Sequence, residues 1–170
     1  MNKILRDKLE TNHARLERAR RWDEFSTSLG SEVGYSVEAV EYASFEKTRR
    51  LLLMRDIALT GRGSVKRQGL SKAVTTALLR CFASKLGESE CWVIGYGHFE
   101  FIGALRLQAD SAFETVWGLL AIGEESVLIT DLGGNNAIDV DVSESIFDRS
   151  MEYDVAATGT AWTPRLRECG

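Results

Sequence analysis

Apolar residues repeat at helical spacing along two stretches of the N-terminal half. Over residues 3 to about 28 they recur at intervals near three, four and seven without a proline, which predicts an amphipathic helix that ends at Gly30. The clearest stripe runs from Leu70 to Leu86, and Gly87 then suits the position just after a helix. The sequence therefore predicts two long helices before residue 88.

The segment between these two stretches, residues 34–59, gives mixed signals. Its first part alternates like a strand, at Tyr35, Val37 and Ala39. Residues 47–59 have the spacing of a helix instead, so the conformation of the segment stays open. Residues 61–64, Gly-Arg-Gly-Ser, predict a loop.

Beyond Gly87 the pattern changes to short segments typical of β-strands. These are residues 91–96, 99–107, 127–131, 138–142 and 151–157. Residues 132–136, Leu-Gly-Gly-Asn-Asn, tolerate positive φ, so they predict a hairpin that joins the third of these strands to the fourth. Residues 111–122 fit either a helix or a strand.

These elements predict an α+β fold in which N-terminal helices pack on a mainly antiparallel C-terminal sheet. A chain of 170 residues suits a single domain. Within it we expect a helical, basic part at residues 1–87, a β-rich, acidic part at residues 88–163 and a loose tail at residues 164–170.

Charge divides the chain at the same point. Residues 1–87 hold 17 Lys and Arg against 10 Asp and Glu, a net charge of +7, while residues 88–170 hold 4 against 15, a net charge of −11. Two interpretations of this split are open, and they do not exclude each other. A basic helical layer packs on an acidic sheet, or the acidic part attracts a basic partner.

The predicted hairpin places acidic side chains together. Asp139 and Asp141 point to one face of their strand, because side chains alternate across a strand. An acidic sheet face with an aromatic anchor suits a basic protein partner, since complementary potentials speed encounter and select the partner. The candidate partner-binding residues are Asp131, Asp139, Asp141, Glu144, Asp148, Glu152, Asp154 and Trp117.

The glycine-containing stretch from Gly61 to Lys72 is a second candidate binding element. It leads into the predicted helix, where free backbone N–H groups can hold an anion, although it lacks the P-loop pattern. Its basic residues are Arg62, Lys66, Arg67 and Lys72. Together with the basic first helix they support an alternative function, a nucleic-acid-associated regulator.

No pattern predicts a catalytic or metal site. His13 and His98 are the only histidines, there is no Gly-x-Ser-x-Gly elbow, and the acidic residues do not follow the spacing of a calcium-binding loop. Residues 94–101 partly match the RNP1 strand of RNA-binding domains, but their acidic surroundings would repel phosphates, which favours a Gly-rich turn. We expect no cofactor, and an enzyme with an unrecognised site is a third alternative.

The cysteines and apolar runs bear on location. Cys81, Cys91 and Cys169 are odd in number and form no Cys-x-x-Cys pair, so neither a disulfide framework nor a zinc site is predicted. The charged N-terminus lacks the apolar stretch of a secretory signal, and no apolar run reaches the roughly 20 residues that span a bilayer. We therefore expect a cytoplasmic protein that does not engage membranes.

The C-terminal half resembles a known group of proteins in architecture and charge. Trp117, the hairpin of residues 127–142, and the closing Tyr153-Asp154-Val155, Gly159 and Trp162 are similar to the small acidic α+β immunity proteins that bacteria pair with secreted or contact-dependent toxins. The resemblance carries over no individual functional residue. It implies a cytoplasmic inhibitor that covers the basic active-site or substrate-binding surface of a toxin, often a nuclease.

Overall fold

The computed structural model describes residues 3–34, 41–61, 63–97 and 102–169. Within these ranges the chain forms five helices and seven strands. The helices are α1 (Lys3–Val33), α2 (Phe45–Thr60), α3 (Lys72–Ser84), α4 (Ala109–Ala121) and α5 (Trp162–Glu168). The strands are β1 (Glu41–Tyr42), β2 (Val65–Leu70), β3 (Glu90–Gly95), β4 (Leu105–Gln108), β5 (Ser126–Thr130), β6 (Ala137–Glu144) and β7 (Met151–Thr158).

All seven strands belong to one sheet with the order β1-β4-β3-β5-β6-β7-β2. Every neighbouring pair is antiparallel, which confirms the predicted α+β class with a mainly antiparallel sheet. The N-terminal half is more than a helical layer, however. It supplies both edge strands, β1 and β2.

Apolar side chains fill both faces of the central strands, so helices cover the sheet on two sides. Side chains of β3 alternate: Cys91 and Val93 join the larger core beneath α1, α3, α4 and α5, while Trp92 and Ile94 join a smaller core beneath α2. The prediction placed all helices in one layer. Of the helices that the structure describes, α2 is the one on the opposite face, because the sheet is apolar there too.

The first helix is longer than predicted. Gly30 lies inside α1, which continues to Val33 and ends at Gly34 with φ of 79°. A glycine is suited to that left-handed conformation, so the helix ends at Gly34, about one turn beyond the predicted end at Gly30. Further on, α2 confirms the helical interpretation of residues 47–59, and Ser44 caps it by accepting a hydrogen bond from the Lys47 amide at 3.2 Å.

Helix α4 also settles the open segment at residues 111–122. It packs closely on α1 because Gly118 has no side chain, and a Cβ there would lie 2.5 Å from Val33 Cγ1. The predicted strand at Tyr35, Val37 and Ala39 lies outside the described residues, as do residues 98–101.

The loop predicted at Gly61, Gly63 and Ser64 is confirmed, but the basic stretch that follows it is a strand and not a loop, which corrects the interpretation of Gly61 to Lys72 as one loop. Val65–Leu70 form the edge strand β2, paired with β7 and interrupted by a bulge between Arg67 and Leu70. Gly69, with φ of 62°, allows that bulge. The tertiary pairing with β7 accounts for the strand, and no local pattern in this polar stretch indicated it.

The predicted hairpin is confirmed. Strands β5 and β6 pair in register, with Leu128 opposite Asp139, and residues 131–136 connect them. At the other end of β6, residues 145–150 form a second connection that leads into β7. This β6–β7 connection contributes residues to the candidate site.

The C-terminal tail is not loose, which is a second correction. It forms α5, whose Trp162 and Leu166 are fully buried in the larger core. Asn136 Oδ1 accepts hydrogen bonds from the amides of Ala161 and Trp162 at 3.0 and 3.2 Å, which ties the start of α5 to the β5–β6 hairpin. The structure also joins Cys169 to Cys81 of α3 in a disulfide that the cysteine spacing did not predict.

None of the helices described here is long and apolar enough to cross a membrane.

Candidate protein-binding interface

The acidic face of β6 is partly internal. Asp139 is only 1% exposed, and the Arg55 guanidinium of α2 donates a hydrogen bond from Nε to its Oδ1 at 3.3 Å. A second nitrogen of Arg55 lies 3.8 Å from Asp141 Oδ2. Asp139 was predicted to contact a partner, and this is corrected here, because α2 covers it and Arg55 pairs with it.

Arg55 satisfies Asp139 incompletely. The second oxygen of the carboxylate, Oδ2, is buried without a hydrogen-bond partner among the described residues. Burial raises the pKa of Asp139 to about 7. The nearby Arg55 acts to lower this pKa, and the charge of Asp141 acts to raise it further. The pKa of Asp141 is also raised, chiefly by partial burial. The ion pair of Arg55 with Asp139 therefore holds α2 on the sheet, although burying the Asp139 carboxylate costs free energy.

The Gly-Tyr-Gly segment after β3 has a structural explanation. The buried carboxylate of Glu124 lies against Gly95 and Gly97, and it accepts a hydrogen bond from the Gly97 amide. A Cβ at Gly95 would lie 2.4 Å from Glu124 Oε1, so a larger residue does not fit. The ring of Tyr96 stacks under the Arg55 guanidinium, with 4.4 Å from Cζ to the ring centroid. These contacts account for the glycines without an RNA-binding role.

Beyond the Arg55 pair, acidic residues accumulate at the same end of the sheet. Asp141 of β6 lies directly opposite Asp154 of β7, and the charges of Asp154 and Glu125 both act to raise the pKa of Asp141. Glu152 follows on the same face of β7, since it is two residues from Asp154. We call Glu125, Asp141, Glu152 and Asp154 the acidic strip.

The acidic strip is only weakly compensated. Asp154 Oδ1 accepts a hydrogen bond from the Gly69 amide at 2.9 Å, at the bulge of β2. Within the described part of the chain, no ion pair joins Glu125, Glu152 or Asp154 to a basic side chain. Like charges placed opposite each other on neighbouring strands destabilise a sheet. The facing carboxylates of Asp141 and Asp154 therefore repel each other across β6 and β7.

The β6–β7 connection lies at the end of β6 and β7 that follows the acidic strip. It contains the exposed residues Glu144 and Asp148, together with Ile146 and Phe147, which are 90% and 92% exposed. We call residues 144–151 the hairpin end. Apolar side chains and carboxylates thus lie side by side at one extremity of the sheet.

Two predicted partner-binding residues lie elsewhere. Asp131 is in the β5–β6 connection, at the opposite end of β6, where its carboxylate accepts hydrogen bonds from the Asn135 amide and the Asn136 side chain at 2.7 and 2.6 Å. Trp117 of α4 lies edge-on to Tyr153, with 5.2 Å between ring centroids. The structure brings Asp141, Glu152 and Asp154 together on one face of β6 and β7. It places Glu144 and Asp148 at the hairpin end, and it leaves Asp131 and Trp117 apart from both groups.

The basic residues of the alternative site do not converge. Lys66 and Arg67 are neighbours on β2 and therefore point to opposite faces. The Lys66 ammonium donates to the Leu59 carbonyl, and the Lys72 ammonium lies 5.1 Å from the centroid of the Trp117 ring. Arg62 lies outside the described residues.

Cysteine chemistry does not add a site. Cys91, the free cysteine of the described residues, is buried in β3, and burial raises the pKa of its thiol to about 12. A thiol in that state is a poor nucleophile because it is the thiolate that reacts. No group of three or more His, Cys, Asp or Glu side chains suited to a metal ion occurs in the part that the structure describes.

Sequence reasoning missed Ile146 and Phe147. A signal was present, because two apolar residues stand between Ser145 and Asp148 in a segment bounded by strands, where polar turn residues are the norm. It also missed Arg55, whose pairing with Asp139 spans 84 residues and has no local signature.

Comparison with protein-family models finds no matching family, and comparisons with curated proteins and with solved structures find no significant similarity.

Proposed function

We propose that this protein is a binding protein of the immunity or antitoxin type, which inhibits a bacterial toxin domain by covering its basic surface. The observation that supports this proposal is the acidic strip, in which Arg55 pairs with Asp141 while Glu125, Glu152 and Asp154 have no basic partner among the described residues. The protein acts by occlusion, without catalysing a reaction. The toxin domain that it covers is basic and acts on an anionic substrate, as a nuclease does.

The physical reason is electrostatic. Asp141 and Asp154 repel each other across β6 and β7, and Glu125 adds to the same field. A basic partner relieves this repulsion when it binds, so part of the cost held in the free protein is recovered in the complex. An acidic surface also speeds encounter with a basic partner and rejects nucleic acid.

The cytoplasm is the compartment that we propose, because an immunity protein meets its toxin inside the cell that it protects. In that reducing compartment Cys81 and Cys169 would be thiols, whereas they form a disulfide in the structure. Thiol trapping in intact cells, followed by mass analysis, measures this directly. Two free thiols at these positions support the cytoplasm, and a persistent disulfide contradicts it.

The function is tested with the product of the neighbouring reading frame, expressed alone and together with this chain. We expect that product to contain a basic toxic domain, to arrest growth when expressed alone, and to form a complex with this chain that restores growth. A product that lacks a basic domain, or a toxic one that this chain does not neutralise, contradicts the proposal.

Charge reversal then locates the contact. We expect Glu125→Lys/Glu152→Lys to weaken binding at least about tenfold. The matched control, Glu24→Lys/Glu114→Lys, makes the same change in net charge at exposed positions of α1 and α4. Equal affinities for both variants would show that only net charge matters. Retention on heparin with a salt-sensitive shift of labelled RNA, and no protein complex, would instead identify the nucleic-acid regulator.

A further inference from the structure

We infer that Ile146 and Phe147 are the anchor of the interface, and that they enter an apolar pocket bordered by basic residues on the partner protein. This inference rests on the proposed function, because it takes a basic protein as the partner. It goes further in naming the residues that supply most of the affinity and the shape of the surface that receives them.

Exposure singles out this pair. Ile146 and Phe147 are 90% and 92% exposed, and Met151, at the start of β7, is 52% exposed. Single exposed apolar residues are common on protein surfaces, but adjacent ones at a strand connection form a patch. Large apolar side chains that become fully buried are the usual hot spots of an interface. Nothing within the described part of the chain covers them.

The connection that carries the pair is held in one conformation. The Ser145 amide donates to the Ser150 carbonyl at 2.8 Å, and the Arg149 amide donates to the Ser145 carbonyl at 3.0 Å. Asp148 Oδ1 accepts hydrogen bonds from both the amide and the hydroxyl of Ser150, at 3.0 and 2.7 Å. Because the turn is already ordered, little conformational freedom is lost when it binds.

Arg149 adds a second sign of a functional turn. Its φ is 59°, and it is the only non-glycine residue with positive φ among the described residues. The left-handed conformation is unfavourable for such a residue, and conformations of this kind persist where the surrounding bonds enforce them. The turn that exposes Ile146 and Phe147 therefore holds Arg149 in an unfavourable backbone conformation.

The charges around the pair decide which partner fits. In the segment 144–152 that contains the pair, Glu144, Asp148 and Glu152 stand against the single basic residue Arg149. A symmetric contact with a second copy would place these carboxylates against their own equivalents, and an anionic membrane or a nucleic acid would be repelled. A basic protein with an apolar pocket is complementary both to Ile146 and Phe147 and to the carboxylates near them.

The test uses a defined probe, a phage-displayed library of protein fragments from the genome that encodes this chain. The wild-type protein selects binders, and each selected fragment is purified and its Kd is measured. The tip variant is Ile146→Ser/Phe147→Ser. The matched control is Leu53→Ser/Val74→Ser, which removes two apolar side chains that are 60% and 53% exposed on α2 and α3.

We expect a basic fragment whose affinity falls at least about 30-fold with the tip variant and less than about threefold with the control. Thermal unfolding verifies that both variants fold, and Phe147→Tyr should keep most of the affinity because it retains the ring. A basic fragment that binds the tip variant as tightly as the wild type overturns the anchor and leaves the proposed function standing. Recovery of acidic fragments or of the chain itself, or of no fragment with a Kd below about 10 µM, overturns both.

Discussion

Replacing Asp139 with asparagine should change how the stability of the fold depends on pH. In the native protein the Asp139 carboxylate is buried, one of its oxygens lacks a partner, and its pKa is raised from 3.8 to about 7. In the unfolded chain the same group titrates near its ordinary value. The native state therefore binds a proton that the unfolded state has released between these two pKa values.

The sign and the size follow from this difference. Because the native pKa is the higher one, the contribution of Asp139 is most favourable below about pH 4 and is lost as the pH rises towards 7. Linkage over the two units from pH 5 to pH 7 gives a loss of about 2 kcal/mol in the free energy of unfolding. Asparagine does not titrate, so the variant should lack this loss.

The assay is urea denaturation followed by tryptophan fluorescence at several values from pH 5 to pH 7. The difference between wild type and Asp139→Asn should shift by about 2 kcal/mol in favour of the variant as the pH rises. Asp110→Asn, at an exposed aspartate in the first turn of α4, is the control and should keep the wild-type slope. Parallel profiles for wild type and Asp139→Asn would refute the reasoning, because they would show that Asp139 is ionised in both states.

Three further variants test the packing of the fold by urea denaturation. Under oxidising conditions Cys169→Ser should lower the free energy of unfolding by about 4 to 5 kcal/mol, since it opens a loop of 88 residues, and a reducing agent should abolish the difference. Asn136→Ala should cost about 2 to 4 kcal/mol because two amides of α5 lose their acceptor, whereas the exposed Asn135→Ala should cost little more than the noise of the measurement. Gly118→Leu should cost about 1 to 3 kcal/mol by forcing α1 away from α4, while Gly87→Leu, where nothing lies within 4 Å of a Cβ, should be nearly neutral; equal costs would contradict the close packing.

The parts of the fold that were predictable from sequence carry their signal locally. The β5–β6 hairpin combines alternating apolar residues with a glycine and asparagine turn, and α3 combines an apolar stripe with a following glycine. Strand β2 carries no such signal. Its polar sequence becomes a strand because β7 offers an edge to pair with, and only the tertiary structure contains that information.

The candidate site was likewise predictable only where the signal is local. Alternation along β6 correctly placed Asp139 and Asp141 on one face, but alternation says nothing about what covers a face. Residue Arg55 lies in a helix whose position against the sheet could not be inferred, so the burial of Asp139 was missed. Charge content identified Asp141, Glu152 and Asp154 of the acidic strip but not Glu125, which comes next to them only through the pairing of β5 with β6.

The division of charge between the two halves of the chain can now be assigned to two separate roles. Ion pairs that join the halves are made by Arg55 with Asp139 and Asp141, and by Lys85 with Glu168. The other ion pairs between described residues stay within one half, as Arg50 with Glu46 does at an exposed position where such a pair adds little stability. Internal packing therefore uses the acidic residues in the middle of β6, and those farther along β6 and β7 are left without basic partners among the described residues. Neutralising Glu144 and Glu152 should then leave stability almost unchanged while weakening partner binding. Neutralising Asp139 should change the pH dependence of stability and leave partner binding unchanged.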